Sequence, residues 1–119
     1  TRTRADALAD QFGSRVVVVD WDDIAQSLPD AALLVNTTSL GMVGKPALEI
    51  PLDGLQAGTV VNDLVYAPLE TPLLETAKSK GCATVDGLGM LLHQAVPGFE
   101  HWFGTKPTVD PQTRVAVLG

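Results

Sequence analysis

The sequence predicts an α/β protein built on a parallel sheet with flanking helices, and three observations carry that prediction. Short apolar, β-branched runs recur along the chain. Between several of them lie segments whose apolar residues repeat at helical spacing. Polar turns containing Gly or Pro follow the strand runs. Strands alternating with helices make parallel sheets, because a chain returning in the same direction needs a long crossover, usually helical.

The elements follow in order. Arg4 to Phe12 carries Leu8 and Phe12 four apart, and Gly13 offers a stop, so a short amphipathic helix is expected. Val16 to Val19 is a β-branched run ending at Asp20 and reads as a strand buried on both faces. Asp22 to Leu28 reads as a helical turn closed by Pro29, and Ala31 to Val35 as a second apolar strand. Leu40 to Leu55 is rich in Gly and Pro and reads as a loop. Gly58 to Tyr66 resumes a strand through Val60 and Val61.

Thr71-Pro72 is a helix start, with a hydroxyl to cap and Pro at the first helical position, and that helix runs to Gly81. Ala83 to Val85 is a short strand. From Leu88 to about Phe103 a helical apolar stripe continues past Pro97, an expected kink or interruption. The tail through Val115 to Leu118 is read as a last helix after an Asp110-Pro111 cap, with a strand as the alternative.

Composition bounds the function. With 119 residues, 45% of them hydrophobic, the chain holds one domain at most, and disorder is excluded as its general state. A net charge of −6 argues against nucleic acid, which requires clustered Lys and Arg to neutralise phosphates. No apolar run approaches the roughly 20 residues that span a bilayer, so no membrane association is expected. The single Cys82 excludes an internal disulfide and fits a reducing, cytoplasmic compartment. His93 and His101 lie eight apart without a completing ligand set, and both are read as structural or solvent-facing. Asp20, Asp22 and Asp23 are read as a solvated turn. The opening has no initiating Met and no signal-peptide segment, which gives the expectation of a chain that begins inside a longer protein.

The fold expected is an incomplete Rossmann-like parallel sheet, lacking the first strand and the glycine-rich loop. Doubly wound nucleotide-binding folds open with a strand and a G-x-G-x-x-G turn, and here Gly87-Leu88-Gly89 comes nearest but has no third glycine. In such sheets ligands bind at the carboxyl ends of strands. Three polar segments fall there: Asn36-Thr37-Thr38-Ser39-Leu40-Gly41-Met42; Asn62 to Tyr66 with Pro68 and Thr71-Pro72-Leu73-Leu74; and Asp86-Gly87-Leu88-Gly89-Met90-Leu91 with Gln94.

These segments resemble, in the same order, the N-A-T-S-x-G-M, D-x-x-Y-x-P-x-x-T-P-L-L and D-G-x-x-M-L-x-x-Q motifs of shikimate dehydrogenases. Thr37 stands where Ala is usual. Phe99, Trp102 and Gly104 look like that family's F-x-x-W-x-G ending. The resemblance covers essentially the whole chain. It implies an NADP-dependent enzyme interconverting 3-dehydroshikimate and shikimate, of which this chain is the C-terminal, NADP-binding part.

The opening is similar to the family's N-R-T-x-x-R/K-A-x-x-L-A segment. The ungapped register puts Thr1 on the motif's Thr and Arg4 on its final basic residue; setting Thr1-Arg2-Thr3 on N-R-T needs a two-residue gap. The resemblance implies that Arg4, with Arg2 nearby, clamps the adenosine 2′-phosphate, since a guanidinium bonds phosphate through two nitrogens. Two solvated arginines at a terminus are the alternative. Thr37 and Thr38 would lie beside the ribose or pyrophosphate, or else form a polar turn that ends a strand. Leu64 is placed beside the nicotinamide, and Tyr66 at the shikimate site unless it is half-buried packing. Gly87 would let the backbone approach the nicotinamide, and Gln94, two turns on, would reach the same ligand or merely border the apolar stripe.

In this family a Lys and an Asp of an N-terminal substrate domain transfer the proton, and nothing in this sequence matches their motifs. The chain alone is therefore expected to be inactive. Its expected partners are that substrate domain and, at exposed sheet edges, a second copy in a homo-oligomer or swapped dimer. The other readings are a quinate/shikimate dehydrogenase preferring NAD, a Rossmann dehydrogenase of the glutamyl-tRNA reductase type, and a non-catalytic nucleotide-binding module.

Overall fold

A computed structural model describes residues 1–119. Three parallel strands, β1 (Leu33–Asn36), β2 (Val60–Asp63) and β3 (Ala83–Val85), pair in the order β1-β2-β3. Leu34 aligns with Val61, and Val61 with Thr84. Five helices surround them: α1 (Arg2–Phe12), α2 (Ile24–Ser27), α3 (Pro72–Ser79), α4 (Leu88–Phe103) and α5 (Pro111–Leu118).

α3 forms where its ends are chemically marked. The Thr71 hydroxyl accepts from the Leu74 N–H at 3.4 Å, Pro72 opens the first turn, and Gly81 leaves at φ +78°. Its inner side buries Leu73, Leu74 and Ala77 against Leu28, Leu55, Val61 and Cys82. These seven residues are the hydrophobic core, and side chains at Leu34 and Ile24 pack on it.

The connection from β1 to β2 has no helix. Instead Leu48, Ile50 and Leu52 alternate inward while Glu49 and Pro51 face solvent, so an extended loop lays an apolar edge on the core. Reading this stretch as a loop was right, but its two-residue periodicity carries a packing role that Gly and Pro content alone conceals.

One expectation needs correction. Val16–Val19 is extended but pairs with no strand of this chain, and Val17 is 79% exposed. A strand is made by a neighbour's N–H and C=O groups, and none of the three observed strands supplies them here. The strands that do pair each bury one face. Leu34, Asn36, Val61 and Asp63 point toward the core side, whereas Leu33, Val35 and Val85 on alternate positions remain exposed. The helix before this segment starts two residues earlier than expected, at Arg2, and β1 begins two residues later, at Leu33.

The C-terminal helices lie where the sequence places them, but the interruption expected at Pro97 does not occur. α4 continues through Pro97 without interruption, and Gly104 ends it at φ +68°. Its stripe is inside only at the start: Leu88 is buried, while Phe99 and Phe103 are exposed and meet each other with tilted rings, 4.6 Å between centroids. α5 begins at a capping box, in which the Asp110 carboxylate accepts from the Thr113 N–H at 2.8 Å. That bond, together with one from the Thr113 hydroxyl, holds the Asp110 carboxyl below its ordinary pKa.

Candidate functional site

The carboxyl ends of β1 and β2 meet through a buried polar network. Asn36 is the last residue of β1 and Asp63 the last of β2, and the parallel register sets them side by side. Asn36 Nδ2 donates to Asp63 Oδ1 at 2.9 Å and to the Leu40 carbonyl at 3.2 Å. Asn36 Oδ1 in turn accepts from the Thr38 N–H and the Thr38 hydroxyl, at 3.0 and 2.8 Å. On the other side, Asp63 Oδ1 accepts from the Val65 N–H at 3.0 Å and Asp63 Oδ2 from the Thr71 hydroxyl at 2.6 Å. Every buried side-chain polar atom finds a partner, as burial of polar groups requires.

Thr37 and Thr38 line a groove of about 180 Å³ with Trp21, Ile24, Val35 and Ile50 among its apolar walls. A second, wider cleft adjoins it through the shared Trp21, bounded by Thr1, Arg2, Val19 and Asp20. Arg2 lies in that cleft with its charge already matched: its guanidinium bonds Asp6 at 2.8 Å and Asp20 at 2.5 Å. The bond to Asp20 is the main cause of the rise in the Arg2 pKa. Arg4 makes no ion pair and does not line the cleft. The two arginines of the opening are thus in different states, one committed and one solvated.

Leu64 and Gly87 are brought together. A Cβ at Gly87 would stand 2.4 Å from the Leu64 carbonyl oxygen and 2.6 Å from that of Val65. The glycine is required by the chain's own backbone, with no ligand needed to explain it. Tyr66 and Gln94 are both exposed and make no side-chain hydrogen bond in this structure. They stand on the strand-end turn and on α4.

One side chain of this region escaped sequence reasoning. Arg114 of α5 grips Asp86, which immediately precedes Gly87, through its two terminal guanidinium nitrogens, at 3.0 and 2.5 Å. Asp86 Oδ1 also accepts from the Leu88 N–H at 3.1 Å, so one carboxylate caps α4 and anchors α5. The Arg114 bond is the main cause of the lowered Asp86 pKa, opposed by partial burial. Asp86 was visible within its motif; Arg114, 28 residues away, had no sequence signal.

Comparison with known proteins bears on this arrangement. The family description "Shikimate 5'-dehydrogenase C-terminal domain" matches residues 87–111. Across 119 residues the chain is 66% identical to the shikimate dehydrogenase (NADP(+)) of Roseobacter denitrificans, covering 100% of this chain and 43% of the relative. The chain matches the C-terminal part of the shikimate dehydrogenases. It spans less than half the length of those relatives. Among solved structures, the shikimate 5-dehydrogenase of Thermus thermophilus, in complex with NADP(H) and shikimate, superposes with a TM-score of 0.74 at 36% identity, over 91% of this chain and 38% of that one. The quinate dehydrogenase of Corynebacterium glutamicum, in complex with NAD, gives 0.74 at 36% identity over 90% of this chain and 38% of that one. The Rossmann-like α/β class expected from the sequence is that of these shikimate dehydrogenase structures. No helix is long and apolar enough to cross a membrane.

Proposed function

We propose that this chain is the cofactor-binding part of an NADP-dependent shikimate dehydrogenase, acting in the reversible reduction of 3-dehydroshikimate to shikimate. The single observation that carries the proposal is identity of 66% over the full chain with a relative named for that activity. The juxtaposition of Thr37, Thr38 and Leu64 at neighbouring strand ends supports it, because open parallel sheets bind dinucleotides there.

The residues fit the cofactor in part. An apolar groove walled by Trp21 and Ile50 suits a flat base, and an uncommitted guanidinium at Arg4 suits a phosphate. The 119 residues contain no glycine-rich loop for the pyrophosphate. When bound, NADP supplies or accepts the hydride. Leu64 would wall the nicotinamide from water, which strengthens the polar interactions of the reacting centre. Gly87 would bring bare backbone to the same face. The Tyr66 phenol and the Gln94 amide would hold substrate hydroxyl or carboxylate groups, and their exposure leaves both free to do so. Proton transfer would fall to groups in the remaining length of the dehydrogenase, since Lys45, Lys78 and Lys106 are exposed, Lys80 is half-buried just past α3, and none of the four stands at these strand ends.

A second reading, preference for NAD as in the quinate dehydrogenase complex, has one observation in its favour: Arg2 is already neutralised by Asp6 and Asp20. The test is steady-state oxidation of shikimate and of quinate by the full-length dehydrogenase, with NADP and NAD in parallel. Preference for shikimate with NADP is the expected result. No turnover with any pair would overturn the enzyme reading, and a preference for NAD would replace the first reading by the second. Under the first reading, Arg4→Ala raises KM for NADP about tenfold, in line with loss of one charge-assisted phosphate bond, and leaves KM for shikimate unchanged.

A further inference from the structure

We propose that Asp63 and its partners Asn36 and Thr71 are positioning residues that hold the two cofactor-facing turns in fixed mutual register. The inference rests on the cofactor reading above and adds what sets the geometry of that site.

Asp63 and Thr71 are each 1% exposed and line no part of the groove, whereas Asn36, 5% exposed, reaches its wall beside Thr37 and Thr38. Asn36 and Asp63 bond the turns that follow their strands, and Thr71 bonds Asp63 from the cap of α3. Asn36 Oδ1 receives two bonds from Thr38, which fixes the turn after β1. Asp63 Oδ1 receives the Val65 N–H, which fixes the turn after β2 carrying Leu64 and Tyr66. The bond from Asn36 Nδ2 to Asp63 Oδ1 is the only side-chain link between the two turns. Thr71 closes the arrangement from α3, giving its hydroxyl proton to Asp63 Oδ2 while accepting from the Leu74 N–H.

A purely structural need would not require this chemistry at these positions. The core face at Leu34 and Val61 is apolar one pair earlier, and an apolar pair would continue it. The polar pair occurs where the strands end and the turns begin. Because the carboxylate accepts three bonds from three different segments, displacement of one turn is felt by the other.

The experiment uses the full-length dehydrogenase with three variants, each measured for KM and kcat with NADP and shikimate and for melting temperature. Thr71→Val keeps the shape but removes the hydroxyl, and it should raise KM for NADP about tenfold, the factor that loss of one hydrogen bond to a charged group brings. Thr71→Ser restores the hydroxyl and should return KM to within about twofold of the parent. Asn36→Asp places two carboxylates in contact, so one must carry a proton to rebuild the link. Its KM for NADP should rise with pH while that of the parent stays flat. Lower melting temperatures with unchanged KM values and no pH dependence would overturn the inference and leave a structural network. Should Asn36→Asp not fold, the Val and Ser pair decides alone; should Thr71→Val not fold, the pH profile does. A parent enzyme without activity would sink the cofactor reading and this inference together, whereas an active parent with unmoved variants would sink the inference alone.

Discussion

The centre of the molecule and its two ends both carry apolar runs in sequence but differ in what that apolarity accomplishes. Around β2 and α3, Val61, Leu73, Leu74 and Ala77 close over one another and are shut off from water. At the ends, Val17, Trp102 and Val115 stay largely in solvent, although their runs have the same strand or helix patterning. Patterning states which face wants burial. Only a neighbour of matching shape provides it, and the centre has its neighbours within this chain while the ends do not.

That contrast can be broken most severely at the core. Leu74→Ala, at a fully enclosed site, should cost about 2–5 kcal/mol of unfolding free energy, through lost transfer energy and a residual cavity. Urea unfolding of the chain measures it, and a loss below about 0.5 kcal/mol would mean that the centre is no better packed than the surface. Next comes Gly87→Ala, whose methyl group would meet the Leu64 and Val65 carbonyls. A cost of about 1–3 kcal/mol is expected, with the strand-end turn displaced. Amide shifts at Leu64 and Val65 report that displacement.

A smaller effect is expected at the Asp86–Arg114 clasp, which fastens an end to the centre. Arg114 lowers the Asp86 pKa in the folded chain, so this contribution is complete above about pH 3.9, the unfolded carboxyl value, and fades as pH falls through the lower folded value. Acid titration of the α5 amide resonances should show release in that window, and Arg114→Gln should release α5 already at neutral pH. The smallest effect belongs to the ends themselves. Trp102→Ser should stay within about 0.5 kcal/mol in the same urea experiment, and a larger loss would reveal packing at that end.

Much of the fold was legible because its signals are local. The cap at Thr71-Pro72, the stop at Gly81, the span of β3 and the Asp110 start of α5 each follow from a few adjacent residues with defined backbone preferences. Val16–Val19 was misread because β-branched residues favour extended backbone, but pairing depends on a partner that local sequence cannot supply. The candidate site divides in the same way. Thr37, Thr38 and Leu64 could be named from their places after strand runs, and the importance of Gly87 from its motif. The reason for that glycine was not legible, since the Leu64 and Val65 carbonyls that forbid a side chain lie more than twenty residues back.

The sequence by itself determined the parallel α/β class, the places of the three paired strands and of the helices between and after them, the caps of α3 and α5 and the segments that resemble a dehydrogenase, because these rest on periodicity and on short runs of residues. Tertiary structure alone decided that Asn36 would meet Asp63, that Arg114 would close on Asp86, that Arg2 would be committed to Asp6 and Asp20, and which apolar faces would be covered. Apart from the Arg2–Asp6 pair, one helical turn apart, those contacts join residues separated by eighteen or more positions. No local preference encodes them; they exist only once the sheet register and the packing of α1 and α5 have set the distances.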